Sequence, residues 1–423
     1  MKTFFCFALF ILVACYTKAQ QAAGNVLFSP VTTKKAKEER LKYLVDTTIR
    51  QYLREPLSED NEGLWNDALW SLELLQYKDA FTKAKLHEAW SKAFLLSEYF
   101  QKNLLETTYS LYKSEFKTPV YRLMQQTKSL PVFLRCAEYV LRADSAIATT
   151  KIRTLIKTKF PSEDHIGLNI LEDRLSQKHE ELPPLLDLFS RNFLKGETVI
   201  YSLQRSNRDY PGIVVIRKPD GSFAKDSAGN IFHTTQLARA ITAYPFYITN
   251  GNTPQGILRW TGFGRSRLLY IGPTTNLQMV MPFESKPAVF FADSTMPDMQ
   301  WQKEMYTSML PDTWKDYSGI YESFYAGAMG RYDVIMHGTT IDPAFYKNQT
   351  YFPQTPSLGC LCSYEAWDEN GNRISSNQQQ IADALQATAS GSGYVVVINL
   401  DNKQAPVNIN EISNVIGMAQ NVE

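Results

Sequence analysis

The chain has 423 residues, 44% of them hydrophobic, and its 44 lysines and arginines are balanced by 43 acidic residues. That length allows two or three domains with substantial cores, and the even charge gives no electrostatic reason to expect a nucleic-acid partner. An aromatic content of 13% fits packed cores and fits equally a groove that faces peptide or carbohydrate.

Residues 1–20 read as an export signal. Lys2 precedes an apolar run from Phe4 to Ala14 that is too short to span a bilayer. Leu12-Val13-Ala14-Cys15 resembles a lipobox, which would anchor the mature chain by a lipid on Cys15. Thr17-Lys18-Ala19 resembles an ordinary cleavage site, which would release it. Either ending places the protein outside the cytoplasm, in the periplasm or cell envelope. No later segment is apolar enough to cross a membrane.

Residues 21–33 read as a leader, and 34–195 as a helical domain, a bundle or α-solenoid. Leu64, Ala68, Leu69, Leu72 and Leu75 recur on one helical face. Prolines at 119, 131, 161, 183 and 184 punctuate the pattern, with Ser162 as a helix cap. No residue spacing in this half suits catalysis; His87 and His165 read as surface residues. Docking of a protein partner, or a spacer role, is the function this half admits.

From 196 to 402 the pattern turns to strands, at Thr198–Leu203, Gly212–Arg217, Tyr270–Gly272, Val280–Pro282 and Tyr394–Leu400. A Lys218-Pro219-Asp220-Gly221 turn follows the second of them. Trp301–Ala328 reads as a mainly helical insertion and Gln379–Ala387 as a helix. With few crossover helices available, the pairing is expected to be mostly antiparallel. The tail, 403–423, is weakly patterned. The fold class is therefore α+β, an all-α region followed by a β-rich one.

Outside the signal the cysteines are Cys136, Cys360 and Cys362, too few for a disulfide framework. Cys136 lies on an apolar helical face and reads as a small core residue. Cys360 sits in Pro356-Ser357-Leu358-Gly359-Cys360-Leu361-Cys362, downstream of a Val334-Ile335-Met336 run that delivers His337-Gly338-Thr339. An imidazole, a thiol and a glycine-bearing turn are the minimum kit for acyl transfer through a thioester. Zinc on Cys360, Cys362 and His337 would lack the common spacing and a fourth ligand. A Cys360–Cys362 disulfide would close a strained loop, and no Gly-x-Ser-x-Gly elbow supports serine hydrolysis.

Four features resemble the L,D-transpeptidase (YkuD-type) catalytic domain. They are the Thr253-Pro254-Gln255-Gly256 loop, the strand ending in His337-Gly338-Thr339, the Ser357–Cys360 signature, and the helix and strand that close the domain. The resemblance spans about residues 198–401. It implies Cys360 as nucleophile, His337 as base, the Gly338 carbonyl as the group orienting the imidazole, and an oxyanion hole from N–H groups around Gly359 and Cys360, with Ser357 in the signature loop. It also implies peptidoglycan stem peptides as substrates, 3→3 cross-links as product, no cofactor or metal, and carbapenem-type β-lactams as inhibitors. Leu358 stands where the family carries a second histidine, Cys362 where a basic residue commonly follows, and 19 residues separate His337 from Ser357. The same site run with water would be an L,D-carboxypeptidase or cross-link-cleaving peptidase. A site that has lost its chemistry would leave a wall-binding scaffold.

Overall fold

The computed structural model describes residues 27–161, 163–176 and 180–421; the segment read as an export signal and the expected Ser162 cap lie outside them. In coarse outline the fold is α+β as expected, an α-helical N-terminal region and a β-rich C-terminal part.

The helical region runs through α1 (Lys34–Lys42), a π-helical segment (Tyr43–Gln51), α2 (Glu62–Leu75), α3 (Ala80–Lys92), α4 (Glu98–Leu111), α5 (Lys117–Gln126), α6 (Leu130–Ala143), α7 (Ser145–Lys159) and α8 (Ile166–Leu175). Local chemistry sets their starts. Asp79 and Thr82 form a reciprocal capping box on α3, and the Ser97 and Ser129 hydroxyls accept the Phe100 and Val132 N–H groups. In α2 the buried stripe is Trp65, Ala68, Leu69, Leu72 and Leu75, one residue off the expected Leu64 start. Burying each large member stabilises the fold by roughly 1.5–3 kcal/mol. Cys136, in α6, is fully buried, and burial pushes its thiol far above the usual cysteine range.

The β-rich part is built on one eight-stranded sheet in the order β3-β2-β1-β10-β4-β5-β6-β7. Its strands are β1 (Val199–Arg205), β2 (Gly212–Arg217), β3 (Thr234–Gln236), β4 (Gly256–Gly264), β5 (Asn276–Val280), β6 (Met336–His337), β7 (Leu361–Cys362) and β10 (Gly393–Asp401). A separate hairpin pairs β8 (Glu365–Trp367) with β9 (Arg373–Ser376). Pairing is mostly antiparallel; β1–β10 and β6–β7 are the parallel exceptions in the sheet. Tyr270–Gly272 forms a turn, not a strand. The sheet curls until its edges meet, where Leu237, just past β3, and Cys362 exchange N–H···O bonds of 2.8 and 2.9 Å. Both faces of its centre are covered. Val199, Tyr201, Tyr394 and Val396 point into one core, and Ile200, Val395 and Val397 into another. That double burial is why these strands read as continuous apolar runs.

The two halves share a core. Tyr244 stacks on Tyr109 with centroids 3.8 Å apart, Tyr247 donates to Glu138 at 2.6 Å, Asn250 to Glu106 at 3.2 Å, and Tyr346 to the Leu74 carbonyl at 2.9 Å. The helical region is thus packed onto the segment 237–252 and is more than a spacer. Conversely, α9 (Leu185–Phe189), assigned from sequence to the helical region, packs with the sheet through Leu188 and Phe189. The end of the leader is also engaged, since Ser29 N–H bonds the Gly371 carbonyl and Leu27 carbonyl accepts the Arg373 N–H, both at 2.8 Å.

Beyond the boundary expected at 402 the chain stays in the fold. Val407, Ile412, Ile416 and Ala419 join the core, the last two from α10 (Ser413–Asn421). Arg205, its side chain buried in β1, holds this segment by ion pairs to Asp401 at 2.8 Å and Glu411 at 2.6 Å. Burial pushes the Glu411 carboxyl up, but bonds from Arg205, Lys403 and the Asn408 N–H outweigh it and bring it to about 2. Because that folded value lies below the ordinary 4.5, the stabilisation is full above about pH 4.5 and fades as pH falls toward 2. Glu411→Ala is expected to lose about 1–2 kcal/mol at pH 7 after solvent screening. Urea titrations should show its gap from wild type closing as pH approaches 2.

Candidate active site

His337 ends β6 and Cys360 directly precedes β7, two adjacent, parallel two-residue strands. Met336 pairs with Leu361 and His337 with Cys362. Alternation along the strands then sends Met336 and Leu361 into the core and leaves His337, Cys360 and Cys362 lining a cleft on the other side. Strand rise and spacing put the backbones of His337 and Cys360 about 8 Å apart on the diagonal, within reach of two converging side chains.

The His337 ring is buried, and its Nδ1 bonds the carbonyl of Gly338. A carbonyl only accepts, so Nδ1 carries the proton and Nε2 is left as the basic atom. Burial lowers the imidazole below its ordinary 6.5, against the Gly338 bond, so the ring is neutral at pH 7. Burial pushes the Cys360 thiol up to about 11, with the Ile335 N–H and the Arg331 charge pulling the other way. Its Sγ accepts the Ile335 N–H at 3.5 Å and donates to the Asp333 carbonyl at 3.4 Å. No hydrogen bond joins Cys360 to His337 among the described residues. The resting pair is a neutral thiol and a neutral imidazole.

The Ser357 hydroxyl bonds the Cys360 carbonyl at 2.9 Å and accepts the Gly359 N–H at 3.1 Å. That second bond corrects one expectation: the Gly359 N–H is taken by Ser357 and does not face a substrate oxygen. The Cys360 N–H has no partner among the described residues and is the donor this turn leaves available to an oxygen. Gly359 has φ 111°, and a Cβ there would overlap the Arg331 guanidinium.

Three further residues, none of them among the expected catalytic or signature-loop residues, support the site. Thr253, already placed in the Thr-Pro-x-Gly loop, donates its hydroxyl to the Gly359 carbonyl at 2.9 Å. Thr253→Val is expected to loosen the turn, slowing Cys360 acylation about tenfold and costing about 1 kcal/mol of stability; parallel rate and melting measurements check this. Arg331 is buried and donates to the Gly251 and Asn252 carbonyls at 3.0 and 2.9 Å. It is the cation that most lowers the Cys360 thiol. Glu365 lies fully buried beneath the Gly338–Thr339 peptide. Arg331 and Glu365 are single charges in segments without period, so the sequence carried no signal for either.

The cleft holds about 540 Å³. Its mouth exposes Leu268, Leu269, Tyr332 and Leu358, an apolar rim of the kind that marks binding surfaces. Trp70 and Leu74 of α2 form one wall, so the helical region contributes directly to the cleft. Leu358 is 45% exposed and supplies apolar surface where the resembled signature has an imidazole. Among the described residues no three His, Cys, Asp or Glu side chains are grouped to hold a metal ion, and no helix is long and apolar enough to cross a membrane.

No protein-family model, no curated protein and no solved structure matches the chain.

Proposed function

We propose that this chain is an exported cysteine acyltransferase of the L,D-transpeptidase type that cross-links peptidoglycan stem peptides. One observation carries the reading: His337, oriented through Nδ1 by the Gly338 carbonyl, shares a sheet face and a cleft with Cys360. Cys360 turns from the Asp333 carbonyl toward His337 Nε2, which takes its proton. The thiolate adds to the carbonyl of the third stem residue, a diamino acid, and the oxyanion meets the Cys360 N–H. Collapse breaks the C–N bond, and the terminal D-alanine leaves with the proton from His337. An amine of a neighbouring stem then attacks the thioester, returns a proton through His337 and frees the thiol, giving a 3→3 cross-link.

No cofactor enters these steps, and a carbapenem would acylate Cys360 by the same route. Water in place of the amine gives carboxypeptidase or endopeptidase action. The test is product analysis on purified tetrapeptide stems. Cross-linked dimers support transfer, shortened monomers move the reading to hydrolysis, and intact stems with retained wall binding leave the scaffold.

A further inference from the structure

Glu365 opens β8, and its side chain has no solvent exposure. One carboxylate oxygen, Oε2, accepts the Thr339 N–H at 3.0 Å; the other, Oε1, accepts the Ser376 hydroxyl at 2.6 Å. The carboxylate approaches so closely that a Cβ on Gly338 would overlap it, which gives a physical reason for glycine after the histidine. The Gly338 carbonyl and the Thr339 N–H are the two ends of one peptide group. In a trans peptide they point in opposite directions. The carboxylate therefore bonds one end of the group while the His337 Nδ1–H bonds the other.

We propose that Glu365 is a positioning residue for His337, acting through the Gly338–Thr339 peptide. Its charge polarises that peptide, makes the Gly338 carbonyl a stronger acceptor and holds the imidazole in the tautomer with Nε2 free. The residue does for this site, through a peptide group, what a directly bonded acid does in a triad. This inference rests on the reading of Cys360 and His337 as nucleophile and base.

The charged and titratable groups that face the carboxylate are few. Arg373 of β9 stands at 4.0 Å, Cys362 of β7 lies close enough for its thiol to feel the carboxylate charge, and His337 of β6 is reached through the peptide. Thr274 and Ser376 supply hydroxyls. Burial pushes the carboxyl up to about 6, against the bonds from Ser376 and Thr274 and the charge of Arg373. A folded value above the ordinary 4.5 means that the ionised form is disfavoured by folding. Stability is full below about pH 4.5 and declines as pH rises through 6. A purely structural role would be served better by a neutral side chain.

The experiment compares Glu365→Gln, His337→Ala and wild type by the rate of iodoacetamide alkylation at Cys360, located by peptide mapping, from pH 5 to 9. Glutamine keeps an acceptor for Thr339 and a partner for Ser376 while removing the charge. Expected for Glu365→Gln is a melting temperature at pH 8 that is unchanged or raised, and alkylation slowed on the order of tenfold. The wild-type inflection near pH 6 that belongs to Glu365 should vanish in this variant, leaving only the fall caused by protonation of His337. Unchanged alkylation in Glu365→Gln with a large loss in His337→Ala would overturn the relay and leave the acyl-transfer reading standing. Unchanged alkylation in both would overturn both. Should Glu365→Gln not fold, Ser376→Ala decides. Losing that hydroxyl raises the carboxyl further, so the inflection must move to higher pH; an unmoved inflection overturns the proposal.

Discussion

Cys360→Ala is expected to lose all turnover of tetrapeptide stems, a fall of roughly 10⁶ to background, while the fold stays intact. The thiol makes only two long, weak bonds, to the Ile335 N–H and the Asp333 carbonyl. Their loss changes stability by no more than about 1 kcal/mol. The turn itself is held by Ser357 and Thr253, through the Gly359 and Cys360 carbonyls, and neither anchor involves sulfur. Stem turnover assayed beside a urea titration separates lost chemistry from lost structure. Cys362→Ala should keep most of its activity, because that thiol is buried beside Thr355 and pushed up to about 12.

His337→Ala is the second large effect, a loss of about 10²–10⁴ in acylation rate. A thiol pushed up to about 11 is almost wholly protonated at pH 7, so without a base the nucleophile is scarce. The pH dependence carries the signature. Burial holds His337 below 6.5, and only the neutral ring takes a proton. The wild-type rate therefore falls as pH drops through that lowered value and holds above it. In His337→Ala the limb assigned to the imidazole disappears and the rate climbs toward pH 11 with the thiolate. Rate–pH profiles of the two proteins decide this.

How much of this was legible in the sequence depended on what each residue answers to. β10 announced itself, because a strand buried on both faces reads as an unbroken apolar run. β6 is the opposite case. Asp333 takes φ 57° and Ile335 N–H bonds the Cys360 sulfur, so regular pairing is reduced to Met336–His337. The Val334–Met336 run suggested a longer strand than these contacts allow. Closure of the sheet rests on bridges such as Leu237 with Cys362 and Ala240 with Ser357, and pairs so distant in sequence leave no local pattern.

The tail shows why weak periodicity misleads. Ile412, Ile416 and Ala419 are helically spaced, but the charges that fasten the segment, Arg205 and Glu411, lie far apart in the chain. Within the site, Cys360 and His337 stood out by residue type in two short motifs, and Gly338 and Ser357 through the family resemblance those motifs carry. Arg331 and Glu365 belong to no motif, and only the fold brings the one to the cleft and the other beneath the Gly338–Thr339 peptide. The helical region was legible as helices and not as a wall, since Trp70 sits on an apolar stripe indistinguishable from core.

The most direct measurement is the intact mass of the mature wild-type protein after incubation with a carbapenem, followed by peptide mapping. The expected result is a gain of one drug mass carried by the peptide containing Cys360, and no gain in Cys360→Ala. A folded, fully reduced wild-type protein whose mass stays unchanged would contradict the assignment of Cys360 as an activated acyl acceptor.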